Sequence, residues 1–449
     1  MAQFFTEVSA EVGLEGKLAR RVAWGDVNGD GYPDFIGIET GVRRGLQHLY
    51  LNRGGVRFEE VTEASGLTAN RAGTAEGQTA LMVVFGDVDG DGDLDVFSGS
   101  YSQEPSGAKY TADSNELYLN DGAGRFTLAR ESGLDRPWPL TTAAAAFTDY
   151  DKDGKLDLYV GNFMVSYPAY DAYPSNLYRG DGAGHFTLSN EVAHLTLEAA
   201  LGDPSGMFVK PTYGVTACDV NDDGWPDLLA STYALSWDDL WLNGGDGTFR
   251  NAARELDFHM DAVPHPSEPE FRHGGNTFSS SCADYDNDGD LDVFQAETAH
   301  GDWPRSTADR SRILKNSGRE GGWVFERPEL AETGIARELN GTGPDGDFGN
   351  EGDHGASWAD LDNDGLLDLV IENSAYPNSH AWVFQQRADH TFVNVTEESG
   401  VRPLLVNSNG ISIDDYDRDG DLDLLMGSVN TGSQSAPGGV EQIHLFRNE

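Results

Sequence analysis

The chain has 449 residues, 76 Asp and Glu against 30 Lys and Arg, and a formal net charge of -46. No basic stripe exists that would neutralise phosphates, so nucleic acids and anionic membranes are excluded as partners. No run of apolar residues is long enough to span a bilayer, and two cysteines, Cys218 and Cys282, are too few for a disulfide framework.

The chain opens with Phe4-Phe5-Thr6-Glu7-Val8, followed by Gly13-Leu14. This stretch lacks an acidic loop but resembles Phe58…Val61-Thr62-Glu63…Gly66-Leu67 and Phe392…Val395-Thr396-Glu397…Gly400-Val401 further on. Those stretches read as the last strand of a repeat. The first full repeat follows: Arg21-Val-Ala-Trp24-Gly25 as an inner strand, then the loop Asp26-Val-Asn28-Gly-Asp30-Gly31-Tyr-Pro-Asp34. An apolar strand from Phe35, a Leu49-Tyr50-Leu51-Asn52 strand and a glycine-rich turn complete it.

The loop recurs at Asp87, Asp149, Asp219, Asp284, Asp360 and Asp415, with starts 55 to 76 residues apart. Oxygen-bearing side chains stand at positions 1, 3, 5 and 9. They are Asp26, Asn28, Asp30 and Asp34; Asp87, Asp89, Asp91 and Asp95; Asp149, Asp151, Asp153 and Asp157; and Asp219, Asn221, Asp223 and Asp227 in the first four copies. The last three carry Asp284, Asp286, Asp288 and Asp292; Asp360, Asp362, Asp364 and Asp368; and Asp415, Asp417, Asp419 and Asp423. Position 6 is always glycine. So many carboxylates aimed at one point call for a hard cation, and calcium, with its 6 to 8 oxygen ligands, fits. An EF-hand or dockerin would run from such a loop into a helix, whereas here the loop runs into a strand. Up to seven structural Ca²⁺ ions are expected.

Cys218 and Cys282 stand just before the Asp loops of neighbouring repeats, where other copies carry packing residues. They read as buried packing thiols. The last residues, Gln442 to Asn448, match the third strand of a repeat, so the C-terminus lacks a fourth strand and the N-terminus has a spare one. Pairing the two closes a ring and removes exposed sheet edges. The expected fold is therefore all-β: one seven-bladed β-propeller over residues 1–449, with four-stranded blades and the N-terminal strand completing the last blade.

The Asp-x-Asp/Asn-x-Asp-Gly-x-x-Asp loop and the Phe-x-x-Val-Thr-Glu-x-Ser-Gly-Leu strand resemble the FG-GAP/VCBS repeats of the integrin α-subunit head and cartilage acidic protein. The resemblance covers essentially the whole chain. It implies a calcium-loop propeller, in a family that spans adhesion proteins, lectins and polysaccharide lyases, so fold alone does not decide function.

Asp loops and 3–4 turns share one face. The opposite face collects the irregular insertions 66–80, 101–115, 162–176, 188–213, 254–275, 297–312 and 328–355, where binding residues are expected. Tyr101, Tyr110, Tyr170, Tyr233, Trp237, Trp303 and Tyr376 read as an aromatic ring on that face, suited to stacking on sugars. A second set, His273, His300 and His354 with Glu297, Tyr213 and Arg272, reads as a candidate transition-metal or proton-transfer cluster. No hydrolase, zincin, Walker or dinucleotide fingerprint occurs.

The leading expectation is a monomeric calcium-binding propeller that binds a glycan or extracellular protein. A polysaccharide lyase and a structural interaction scaffold are the alternatives. Millimolar calcium points to an extracellular or periplasmic setting, with a signal removed upstream of residue 1.

Overall fold

The structure, a computed structural model, describes residues 4–39, 46–71, 73, 80–100, 114–135, 141–166, 171–195, 210–234, 236–259, 274–299, 310–338, 351–373, 379–401, 407–429 and 441–449. It is all-β and propeller-like. Each Asp loop joins the first and second strands of a four-stranded antiparallel unit whose strands lie side by side in chain order. In the first unit these are Arg21–Gly25, Asp34–Glu39, Leu46–Asn52 and Phe58–Glu60. The fifth and sixth units are additionally joined where Thr298 and Ala299 pair with Gly352 and Glu351.

The last unit contains Asn407–Asp414, Asp423–Val429 and Glu441–Asn448, and its fourth strand is Phe5–Glu7 from the other end of the chain. The pairing is antiparallel, with Phe5 opposite Asn448 and Glu7 opposite Phe446. Val8 N extends it by donating to Leu445 O at 2.8 Å.

Second strands such as Asp95–Ser100 are buried at every position. They read as apolar runs rather than alternating strands because neighbouring sheets cover both of their faces. Apolar clusters fill the spaces between successive sheets. One holds Ile36 and Leu49 of the first unit with Val96 and Tyr118 of the second, and another holds Phe35 and Tyr50 of the first with Leu425 and Leu445 of the seventh. Each such ring or aliphatic chain stabilises the packing by roughly 1.5–3 kcal/mol. The first sheet therefore packs against the last as it does against the second.

Two expectations are corrected. The Val61-Thr62-Glu63 stretch does not continue the outer strand, which stops at Glu60; Thr62–Ser65 form one helical turn. The Thr62 hydroxyl accepts from Leu49 N at 3.0 Å, pulling the chain inward. Gly66 ends the turn at φ 87°, and a Cβ there would lie 2.3 Å from Phe126 O, so only glycine lets this corner rest on the next sheet. Cys218 and Cys282 are not packing thiols. They form a disulfide, S–S 2.06 Å, because the inner strands Thr212–Cys218 and Thr277–Ala283 end side by side. Their positions one and two residues before the Asp loops of neighbouring repeats were the signal for it.

Candidate metal loops and an axial cavity

The Asp loops hold their shape through their own backbone. In the second repeat Asp87 Oδ1 accepts from Asp91 N (3.1 Å), Asp87 Oδ2 from Gly92 N (3.0 Å) and Asp91 Oδ1 from Asp93 N (3.0 Å). The same position-1 and position-5 bonds recur in the other loops, as in Gly31 N to Asp26 Oδ2 (2.8 Å) and Asp421 N to Asp419 Oδ1 (3.0 Å). Holding these carboxylates on N–H dipoles keeps their oxygens gathered within the loop.

The ninth residue does more than the sequence suggests. Asp34 Oδ2 accepts from Val27 N (3.1 Å) and Oδ1 from Asn52 N (2.6 Å), so the carboxylate ties its loop to the third strand. Asp95, Asp157, Asp227, Asp368 and Asp423 make the equivalent pairs of bonds. Burial pushes these carboxyls up, partly offset by the N–H donors and reinforced by neighbouring carboxylates: Asp95 to about 6, Asp34 to about 7, Asp423 to about 8.

Sequence reasoning missed the asparagine that ends the third strand. Asn120 Nδ2 donates to Val27 O of the preceding repeat's loop at 2.7 Å, and Asn243, Asn316, Gln386 and Asn448 clamp Tyr150, Val220, Tyr285 and Leu361 in the same way. Asn52 clamps Tyr416 O of the last repeat at 2.8 Å. In the third repeat Gly180 stands there, where a Cβ would lie 2.1 Å from Leu156 O. The signal was the recurring Leu-Tyr-Leu-Asn ending, read only as a strand.

The donor set fits a hard cation. Among the described residues, three carboxylates bring an oxygen each within 4.8 Å of one another at Asp87/Asp89/Asp95, Asp149/Asp151/Asp157, Asp284/Asp286/Asp292, Asp360/Asp362/Asp364 and Asp415/Asp417/Asp423. The first and fourth loops place Asn28 and Asn221 at the third position, giving one carboxylate fewer. Asp89 Oδ1, Asp286 Oδ1, Asp292 Oδ2 and Asp417 Oδ1 are buried without a hydrogen-bond partner. Buried carboxylate oxygens left without a donor are costly, and a bound cation satisfies them. Two loops also carry a protein cation: Arg179 contacts Asp151 (2.6 Å) and Asp153 (2.9 Å), and Lys315 contacts Asp286 and Asp288.

A cavity of about 260 Å³ lies where the inner strands of all the repeats converge. Arg21, Tyr213, Phe278 and His354 line it from the strand ends remote from the Asp loops, together with Glu372. Arg21 Nη2 donates to Tyr213 Oη at 2.7 Å, and the His354 ring stacks on Phe278 with centroids 4.3 Å apart. Glu372 Oε1 accepts from Ile411 N at 2.7 Å; burial pushes this carboxyl up, against the lowering effect of Ile411 N and Arg21. The strand that carries His354 is anchored beside it by buried Arg337, which contacts Glu351 and Asp353.

Of the expected cluster, the structure thus brings Tyr213 and His354 together; Arg272, His273 and His300 lie outside the described residues. Glu297 does not line this cavity: its Oε2 accepts from Asn276 N (2.9 Å) and its Oε1 from the Thr277 hydroxyl (2.6 Å), closing the start of the fifth sheet. Tyr101, Tyr110, Tyr170, Trp303 and Tyr376 also lie outside the described residues. Tyr233 and Trp237 are corrected: at 7% and 4% exposure they are core, Tyr233 between Phe163 and Phe278, Trp237 edge-on to His259. Tyr233 belongs to the cluster of Ala143, Phe163, Met164 and Phe278, and Trp237 lies between His259 and the Arg254 guanidinium.

An acidic loop at the same corner of successive four-stranded sheets defines a class, the acidic-loop type of propeller-like repeat. The chain belongs to the FG-GAP-like repeat family, whose profile matches residues 26–98, 105–160, 219–294 and 360–426, more than half of its length. It is similar to cartilage acidic protein 1 of Xenopus tropicalis, 25% identical over 302 residues, covering 64% of this chain and 40% of that protein. The Homo sapiens protein of that name is 24% identical over 292 residues, covering 64% and 39%. The chain thus spans about two fifths of the length of the curated relatives it matches. Among solved structures, a chain from the crystal structure of BBS1N in complex with ARL6DN superposes with a TM-score of 0.51 at 10% identity, covering 100% of this chain and 98% of that one. An Agrocybe aegerita lectin chain gives 0.44 at 15% identity, covering 92% and 91%.

Proposed function

We propose that the chain is a secreted, calcium-stabilised, seven-bladed propeller, closed by its N-terminal strand, that presents the face opposite the Asp loops to a glycan or protein ligand. The observation that carries the calcium reading is the set of buried, partnerless carboxylate oxygens at Asp89, Asp286, Asp292 and Asp417 inside loops already folded around their centres. Calcium supplies the charge those oxygens lack. The ligand is proposed to bind through the opposite insertions, whose sequences carry Tyr101, Tyr110, Tyr170, Trp303 and Tyr376. The disulfide and the acidic surface are in keeping with an extracellular setting.

One observation favours a second reading, a lyase: Tyr213 and His354, two members of the candidate proton-transfer set, line one cavity. The test is a glycan array with a parallel turnover screen on uronate polymers, each with and without calcium. Calcium-dependent binding without turnover is expected. A new ultraviolet-absorbing unsaturated product would overturn the binding reading in favour of the lyase, and silence in both would leave only the scaffold.

A further inference from the structure

We infer that the axial cavity is a binding site for one neutral sugar residue, held between Arg21 and Glu372 with Tyr213 and His354 completing its polar contacts. The inference specifies the ligand class of the glycan reading above and rests on it, but it concerns this cavity alone.

Small inner-strand residues, Ala144 and Gly214 among them, hold the walls back at the height where Arg21 and Glu372 face the space. The two opposite charges share the cavity without a direct salt bridge. Arg21 gives one N–H to Tyr213 Oη, and Glu372 takes one from Ile411 N. Setting a guanidinium and a carboxylate into a wall made largely of apolar side chains is costly unless hydrogen bonds meet both. A ligand that satisfies them must both accept and donate, as paired hydroxyls on one ring do.

Charge narrows the class. A carboxylate or sulfate ligand would gain Arg21 but meet Glu372, and would approach a chain of net charge -46. An ammonium ligand would gain Glu372 and meet Arg21. A neutral polyol avoids both conflicts, and Phe278 in the same lining offers an apolar contact to its C–H groups. At about 260 Å³ the cavity has room for one ring, not a chain.

The experiment is saturation-transfer NMR and calorimetry on the full chain in excess calcium. Probes are D-glucose, D-galactose, D-mannose and the N-acetylhexosamines, with D-glucuronate and D-glucosamine as charged controls. At least one neutral sugar is expected to bind saturably and more tightly than either charged control. Tyr213→Phe and Glu372→Gln should each weaken it by about tenfold or more, the loss that a hydrogen bond to a charged group represents. Ala144→Leu fills the cavity with every polar group intact and should abolish binding, which covers the case in which a polar variant misfolds. Tighter binding of glucuronate or glucosamine overturns the charge argument. Binding of a neutral sugar that all three folded variants retain overturns the site while sparing a glycan ligand on the loops. No binding of any probe overturns the inference even if larger glycans bind on the array.

Discussion

Asp95→Ala separates the two roles of the ninth loop residue, joint and ligand. Asp95 is fully buried; its Oδ2 accepts from Val88 N at 2.9 Å and its Oδ1 from Asn120 N at 2.8 Å. Truncation leaves both N–H groups buried without an acceptor, at about 1–3 kcal/mol each, or about 2–6 kcal/mol together. Asp95→Asn keeps one acceptor and should cost about half as much. The assay is urea unfolding followed by tryptophan fluorescence and circular dichroism, in EDTA and in excess calcium. A joint loses stability in both media; a side chain that serves only as a ligand loses it in calcium alone. An Asp95→Ala protein as stable as wild type in EDTA would refute the joint.

Deleting residues 1–8 removes the strand opposite Glu441–Asn448 and empties the Phe5 site. The truncated chain is expected to melt lower and to self-associate through the bared edge, read by calorimetry and light scattering. The double change Cys218→Ser with Cys282→Ser releases a loop closed over a separation of 64 residues; by chain entropy it should cost about 4 kcal/mol in urea unfolding, and wild type in reductant should match it. Burial pushes His259 down from 6.5 to about 4. The unfolded chain therefore takes up this proton first as pH falls, so the contribution is whole above 6.5 and lost towards 4. At most it is about 3 kcal/mol, and His259→Phe should flatten the acid limb of the stability profile.

Much of the fold was legible because its signals are local and repeated. The loop spacing, the apolar second strands and the Leu-Tyr-Leu-Asn ending each mark one corner of a unit, and the spare strand at Phe5–Glu7 answered the missing one at the C-terminus. What the sequence hid depends on register between repeats. Asn120 reaching back to Val27 O, the Cys218–Cys282 bridge and the inward turn of Tyr233 and Trp237 all join residues that no local pattern links. The axial pair is the extreme case: Arg21 opens the first inner strand and Glu372 closes a second strand in the sixth repeat, and only convergence at the axis brings them to one cavity. Tyr213 and His354 were singled out as chemically able residues, but for a cluster whose Arg272, His273 and His300 lie outside the described residues and whose Glu297 closes the start of the fifth sheet.

The central claim is that the Asp loops hold calcium and that the ions stabilise the ring. The direct measurement is a calcium titration into metal-free protein, counting bound ions by native mass spectrometry while calorimetry follows the melting temperature of the same samples. At least five ions per chain are expected, one for each three-carboxylate loop, with the melting temperature rising as they bind and half-saturation near 10⁻⁴–10⁻³ M, roughly the range of extracellular sites. A chain that binds no calcium, or whose melting curves in EDTA and in excess calcium overlay, would contradict the account.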